Sequence, residues 1–372
     1  MKNYWVLLII ALAALTLSFR NDKVELEDRG LVVALGIDRT ADNKFAVTVS
    51  MPNILEMKEA PIADKSKLVK TANDGSISGA LHNINTSQNL YMGQTKMLVL
   101  GRELLNDADF LRQSIDSMER SREVSHKLYL LAAKEQSAED ILSLKLEGES
   151  MIGITIDNYY DSGGEAATKF SKTLGEVISD LRSTGDTLIP IISADTTDEE
   201  SGSGHIGIGG CAVIKDFKLS RYLNEEETRG YMWLTADNHG SVVNSPDNIP
   251  LRVYHSKPRI SFENINGKIN CHVKLSVKGS IDEYNFSEED LDAPFRLEEY
   301  AAAFENIIAD EIKNTADILR RNGADVYCFK EMLRKKDYKL YADIEQEFET
   351  HFRDMVIIPY VNVDIISVGT IK

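Results

Sequence analysis

The sequence predicts an α+β protein of more than one domain, with mixed, mostly antiparallel sheets flanked by helices. Three observations carry that expectation. At 372 residues, 43% apolar and 27% charged, the chain has the composition of a folded protein and is too long for one ordinary core. Short β-rich runs come in pairs about polar turns, which is the hairpin pattern. Amphipathic helical stretches alternate with strands through the first half, and the longest of them lies in the second.

The charge balance and the cysteines exclude several function classes. A net charge of −17 argues against a nucleic-acid partner, which needs clustered Lys and Arg for phosphates. It also argues against adhesion of the folded part to an anionic lipid surface. Cys211, Cys271 and Cys328 are far apart with no CxxC pair, so neither a disulfide scaffold nor a zinc site is indicated. Each reads as a small buried strand residue.

Residues 1–21 form a signal- or anchor-like segment. Lys2 precedes the apolar run Tyr4–Leu17, shorter than the ~20 residues a spanning helix needs. Leu31–Asp38 and Phe45–Met51 follow as an antiparallel hairpin about the polar residues 40–44. Asp38, at a strand end, reads as a turn former. Residues 56–74 read as polar loop with a partial strand at Leu68–Val69. Ser76–Asn89 has a helical apolar face of Ile77, Ala80, Leu81 and Ile84, and Met97–Leu100 is a buried strand closed by Gly101. Asp109–Glu119 is amphipathic, Leu128–Ala133 is a strand, and Ser137–Leu146 opens with a Ser-x-x-Asp cap. Thr168–Leu181 is helical, and Leu188–Ile192 is a strand split by Pro190.

Residues 195–209, acidic and then Gly/Ser-rich, read as a flexible linker between an N-terminal domain, 22–194, and a C-terminal one, 210–372. The latter divides further into 210–290 and 291–372. The linker contains Gly202-x-Gly204-x-x-Gly207, formally a dinucleotide fingerprint. No strand is expected before it and a strand rather than a helix follows, so a phosphate would find no helix N-terminus there.

The most informative stretch is Gly209–Leu234. Cys211–Ile214 and Lys218–Leu223 form a hairpin, and Asn224 then stands before Glu225, Glu226 and Glu227. Asn224 as N-cap and Glu227 at the third helical position make a capping box, with the carboxylates at the positive helix end. Tyr231 and Leu234 then point inward, and Trp233 packs. Gly240–Arg252 is a loop or edge. Lys257–Glu263 and Lys268–Lys278 form another hairpin about Asn264–Gly267, in which Cys271 and His272 face opposite ways. Ser287–Asp292 is an acidic link. Arg296–Asn322 is the clearest helix, with Gly323 as its C-cap. A second helix, Ala342–Phe352, leads to a final half-buried strand over 356–371.

Leu223-Asn224-Glu225-Glu226-Glu227-Thr228-Arg229-Gly230, followed by Trp233-Leu234, resembles the signature of the Ger(x)C family, the C subunits of bacterial spore germinant receptors. Four further pieces agree in order: Arg29-Gly30 with Gly36-Ile37-Asp38; Gly93, Lys96 and Gly101; the segment Asp325–Lys336; and Pro359 with Val361, Val363 and Gly369. The chain departs from the family at Arg20, where the lipidated cysteine of a lipoprotein signal is expected. No cysteine precedes Cys211, so thioether lipidation has no acceptor there.

No HExxH, GxSxG or P-loop is present, and the seven histidines never fall at i, i+3 or i, i+4. No catalytic, cofactor or metal residue is therefore named. The residues singled out for structural or partner roles are Lys96, Asn224, Glu227, Arg229, Gly230 and Trp233. For Lys96 a solvated strand-edge lysine is the competing reading. The resemblance implies a non-catalytic subunit on the outer face of the spore inner membrane, in contact with membrane-embedded A and B subunits. The alternative is an exported solute-binding protein or hydrolase whose site assembles only on folding.

Overall fold

The computed structural model describes residues 30–52, 67–146, 151–161, 170–198, 203–235, 238–246, 249–281 and 294–368. The apolar leader, Arg20 and the acidic link Ser287–Asp292 lie outside the described residues.

The chain runs β1 (Gly30–Leu31), β2 (Ala34–Arg39), β3 (Phe45–Pro52), β4 (Lys67–Asp74), α1 (Ile77–Asn85), β5 (Leu90–Tyr91) and β6 (Met97–Leu100). Next come α2 (Arg102–Leu105), α3 (Ala108–Arg120), β7 (Tyr129–Ala133), α4 (Ala138–Ser143), β8 (Lys145–Leu146), α5 (Ile152–Asp161) and α6 (Leu174–Ser183). The long strands β9 (Thr187–Asp198) and β10 (Ser203–Lys215) then lead through β11 (Lys218–Leu223) to α7 (Glu225–Thr235). The rest is β12 (Val242–Asn244), β13 (Pro250–Ile265), β14 (Lys268–Ile281), α8 (Pro294–Arg321), α9 (Phe329–Lys336), α10 (Tyr338–Ile344), α11 (Phe348–Asp354) and β15 (Val356–Val368).

Two main sheets result. The first has the order β11-β10-β9-β7-β6-β2-β3-β4, with β8 pairing β10. Its centre, β9-β7-β6-β2, is parallel, and the longer outer ladders are antiparallel hairpins. Alternation along each strand sorts side chains to two faces. On β6, Leu98 and Leu100 meet the core under α1, α2, α3 and α6, whereas Met97 and Val99 meet the core under α4 and α5. The second sheet, β12-β13-β14-β15, is antiparallel except for its last pair. One of its faces carries Cys271, Val273, Leu275 and Val277 into a core shared with α7, α8, α9 and α11. The α+β class with mixed sheets flanked by helices is thus the observed architecture.

Several elements differ from expectation. Residues 67–74 form a complete strand, because Lys67–Asp74 pairs with β3 along its whole length. Residues 195–198 and 203–209, expected in a linker, extend β9 and β10 instead. Composition misled here: glycines and acids favour loops as isolated residues, but a hairpin needs only backbone groups to pair. Gly204 and Gly207 of the fingerprint lie inside β10, and, against expectation, a strand, β9, precedes them. Pro190 does not split β9. It sits opposite Cys211 where the register shifts across Gly209 and Gly210, and such a bulge tolerates the missing N–H. The helix expected over 342–352 is broken by a 3₁₀ turn at Glu345–Glu347, so that Phe348 and Phe352 turn inward on α11.

Asp38 does not serve the turn that follows it. Its carboxylate crosses the sheet and accepts the N–H groups of Ala138 (2.8 Å) and Glu139 (3.1 Å), capping α4. Burial raises its pKa to about 6 against those two hydrogen bonds.

Candidate functional site

The hairpin of β10 and β11 delivers the chain to Asn224, and the capping box forms as the residue types dictate. The Glu227 N–H donates to the Asn224 side chain (2.8 Å), and the Asn224 N–H donates back to the Glu227 carboxylate (2.8 Å). Arg221 lies 3.4 Å from the same carboxylate. One turn later, Thr228 donates to the Asn224 carbonyl (2.7 Å), and its hydroxyl lies 3.3 Å from the Cys211 thiol. Burial pushes that thiol up to about 12, so it stays neutral.

The helix then lies against α8 at unusually short range. A Cβ on Gly230 would stand 2.6 Å from the Glu311 carbonyl oxygen and closer still to the Thr315 hydroxyl. Only glycine lets the two backbones approach this far. Thr315 uses the proximity, donating to the Glu227 carbonyl (3.0 Å). Glu311 does more. Its carboxylate takes the Arg229 guanidinium in a two-pronged ion pair and accepts the Trp233 indole N–H at 2.8 Å. Arg229 also donates to the Val242 carbonyl at the edge of the second sheet. Burial alone would lower the Arg229 pKa, and its hydrogen bond to Glu311 with their mutual charge reverses this and leaves it raised. Trp233 is fully buried.

The other side of α7 meets an aromatic stack. Tyr231 stacks on Tyr327 at 5.1 Å, and Tyr327 on Phe329 at 4.9 Å. Beside the helix start, Tyr159, Phe170, Gly209, Gly210, Glu225 and Arg229 border a pocket of about 290 Å³. That volume is at the small end for ligand sites, and its one guanidinium is already engaged.

Five of the expected residues therefore come together: Asn224 and Glu227 start α7, and Arg229, Gly230 and Trp233 clamp it to α8. Lys96 belongs elsewhere. It precedes a central strand rather than an edge, and its ammonium pairs with Asp157 of α5 at 2.8 Å. Arg20 lies outside the described residues.

Sequence reasoning missed Glu311, one acid among many on an amphipathic helix. It also missed Asp186. That carboxylate accepts the N–H groups of Asp216 (3.1 Å) and Asp325 (2.8 Å), and so ties the start of β9 to the segment before α9. Asp325 in turn accepts from Phe329 (2.8 Å) and Lys330 (2.9 Å) and caps α9. Burial raises both carboxyls, Asp325 to about 7. Every hydrogen bond in this network serves the backbone.

Comparison with known proteins gives one consistent result. Residues 22–194 match the model of the spore germination protein N-terminal domain, and residues 209–369 match the spore germination B3/GerAC-like C-terminal model. Spore germination protein KC of Bacillus subtilis (strain 168) is 23% identical over 85% of this chain and 83% of its own length. Spore germination protein A3 of the same organism is 23% identical over 74% of each. Among solved structures, that of the GerBC protein superposes with a TM-score of 0.57 at 19% identity, covering 89% of this chain and 96% of the other.

Proposed function

Because the chain belongs to the Ger(x)C family of spore germination proteins, we propose that it is the non-catalytic C subunit of a germinant receptor, held at the outer face of the spore inner membrane by contact with membrane-embedded A and B subunits. A role in spore germination follows from the family itself. The finer reading is carried by one observation: the signature residues are consumed in construction. Arg229 and Trp233 both end on the Glu311 carboxylate, and Asn224 and Glu227 end on each other. A residue set that holds one helix against another supplies a rigid surface for partners, and no nucleophile–base pair is formed by it. Among the described residues no helix is long and apolar enough to cross a membrane.

The test is fractionation of spores carrying the C-terminally tagged protein, with and without the genes for the two membrane subunits. Recovery in inner membranes washed with high salt, which strips contacts held by exposed charges alone, only when those subunits are present is the expected result. Recovery there in their absence would assign attachment to the protein itself. A protein found in the soluble fraction of both strains would overturn the receptor reading in favour of an exported binding protein or hydrolase.

A further inference from the structure

Among the described residues, the second sheet buries one face and leaves the other exposed, and the exposed face carries charge opposite to the chain's total. On β14, Cys271, Val273, Leu275 and Val277 point into the core, so Lys274, Ser276 and Lys278 between them point out. The cross-strand register sets Lys257 beside Ser276, which is itself beside Asn362, and Arg259 beside Lys274, which is itself beside Tyr360. Three cations thus share a patch at the ~4.8 Å strand spacing. Like charges directly opposite each other destabilise a sheet, so Arg259 facing Lys274 is a cost to the fold.

A chain with 59 acidic residues could have relieved that cost. Among the described residues, none of Lys257, Arg259 and Lys274 makes an ion pair. The carboxylates of the same face are turned to other partners, Glu263 to the His272 ring at 3.3 Å and Asp364 to Lys278 at 3.9 Å. With His255, Tyr360 and Asn362, the three cations border an open concavity of about 550 Å³. The adjoining strand β15 adds two exposed apolar side chains, Tyr360 at 52% and Ile366 at 54%.

We propose that this face binds the anionic headgroups of a lipid surface. Lysine and arginine reach phosphates with their charged ends while exposed aromatic and aliphatic neighbours enter the headgroup boundary, and both components lie here on one sheet. A sheet face spreads its cations over a plane, which suits many separate phosphates better than a single peptide. The chain's acidity argues against lipid adhesion when taken as a total, but Lys257, Arg259 and Lys274 gather positive charge around one concavity of this face. This inference stands apart from the receptor reading and survives its failure.

The experiment is co-sedimentation of the full chain with vesicles of phosphatidylcholine alone, and of phosphatidylcholine and phosphatidylglycerol in equal parts. The neutral vesicles record any retention due to the apolar N-terminal segment, and the excess on anionic vesicles reads the proposed face. Replacing all three cations (Lys257→Gln, Arg259→Gln, Lys274→Gln) should weaken that excess on the order of 100-fold, with neutral-vesicle retention unchanged. The three side chains are exposed, so the variant should melt with the parent. Should it fail to fold, the unsubstituted chain still decides the matter, because the anionic excess must collapse as salt is raised. No anionic excess, or an excess that the folded variant keeps, overturns the proposal. Retention on polyglutamate that depends on the three cations, without vesicle binding, would reassign the face to an acidic protein and overturn it equally.

Discussion

Gly230 shows how a single residue is decided by competing magnitudes. In an exposed helix interior, replacing glycine by alanine gains about 1 kcal/mol from backbone propensity. Here the added methyl meets the Glu311 carbonyl oxygen at 2.6 Å and the Thr315 hydroxyl closer still, and overpacking of this kind costs about 1–3 kcal/mol. One of the two obstacles is backbone and cannot rotate away. Gly230→Ala should therefore lower the melting temperature despite its better helix propensity, which thermal unfolding of the two proteins will check; a higher melting temperature would mean that α7 and α8 are not in close contact. The residue type and its place in the signature are readable from the sequence, and so is the Asn224–Glu227 box, since a cap is local chemistry. What the glycine makes room for is not readable. Glu311 lies 82 residues after Arg229, on a helix with several equivalent acids, and nothing local marks the one that faces inward.

At the scale of elements, β9 and β10 carry the clearest lesson. Hairpins with strong alternation, such as β2–β3 and β13–β14, are legible because each side chain declares its face. Four of the eight residues 203–210 are glycine, so composition suggested a linker where the backbone forms a ladder. Beyond Gly210 the alternation returns with unusual consequences. Ala212 and Ile214 enter the core of the first sheet, and Cys211 and Val213 enter the core of the second. One strand thus belongs to both cores. A ladder and a linker make opposite predictions for hydrogen exchange. Amides of residues 204–214 should exchange as slowly as those of the central strand β7, with mass-spectrometric peptides over this region protected. Exchange as fast as in an unstructured peptide would restore the linker.

For the whole molecule, the consequential feature is the carboxylate pair that ties together two segments 139 residues apart. Asp186 immediately precedes β9 and Asp325 precedes α9, and the Asp325 N–H donates to Asp186. Burial raises both, Asp325 to about 7, from an unfolded value near ~3.9. Around them stand Asp216 and Lys215 on the turn after β10, and Lys330 on α9. The folded protein therefore holds a proton that the unfolded chain releases across this interval. The stabilisation is complete below about pH 4 and is lost as pH rises through about 7, because the native state binds more protons there. Asp38, raised to about 6 beneath α4, acts in the same direction. Rising net negative charge also weakens the fold with pH, but it does so in any variant. Asp325→Asn removes the titration while keeping one acceptor for the α9 N–H groups. It should therefore lower the melting temperature at about pH 4, where a hydrogen bond worth about 1–3 kcal/mol is lost, and flatten the fall toward about pH 7. A variant whose melting temperature tracks the parent in parallel across that interval would show that Asp325 ionises as freely in the folded chain as in the unfolded one.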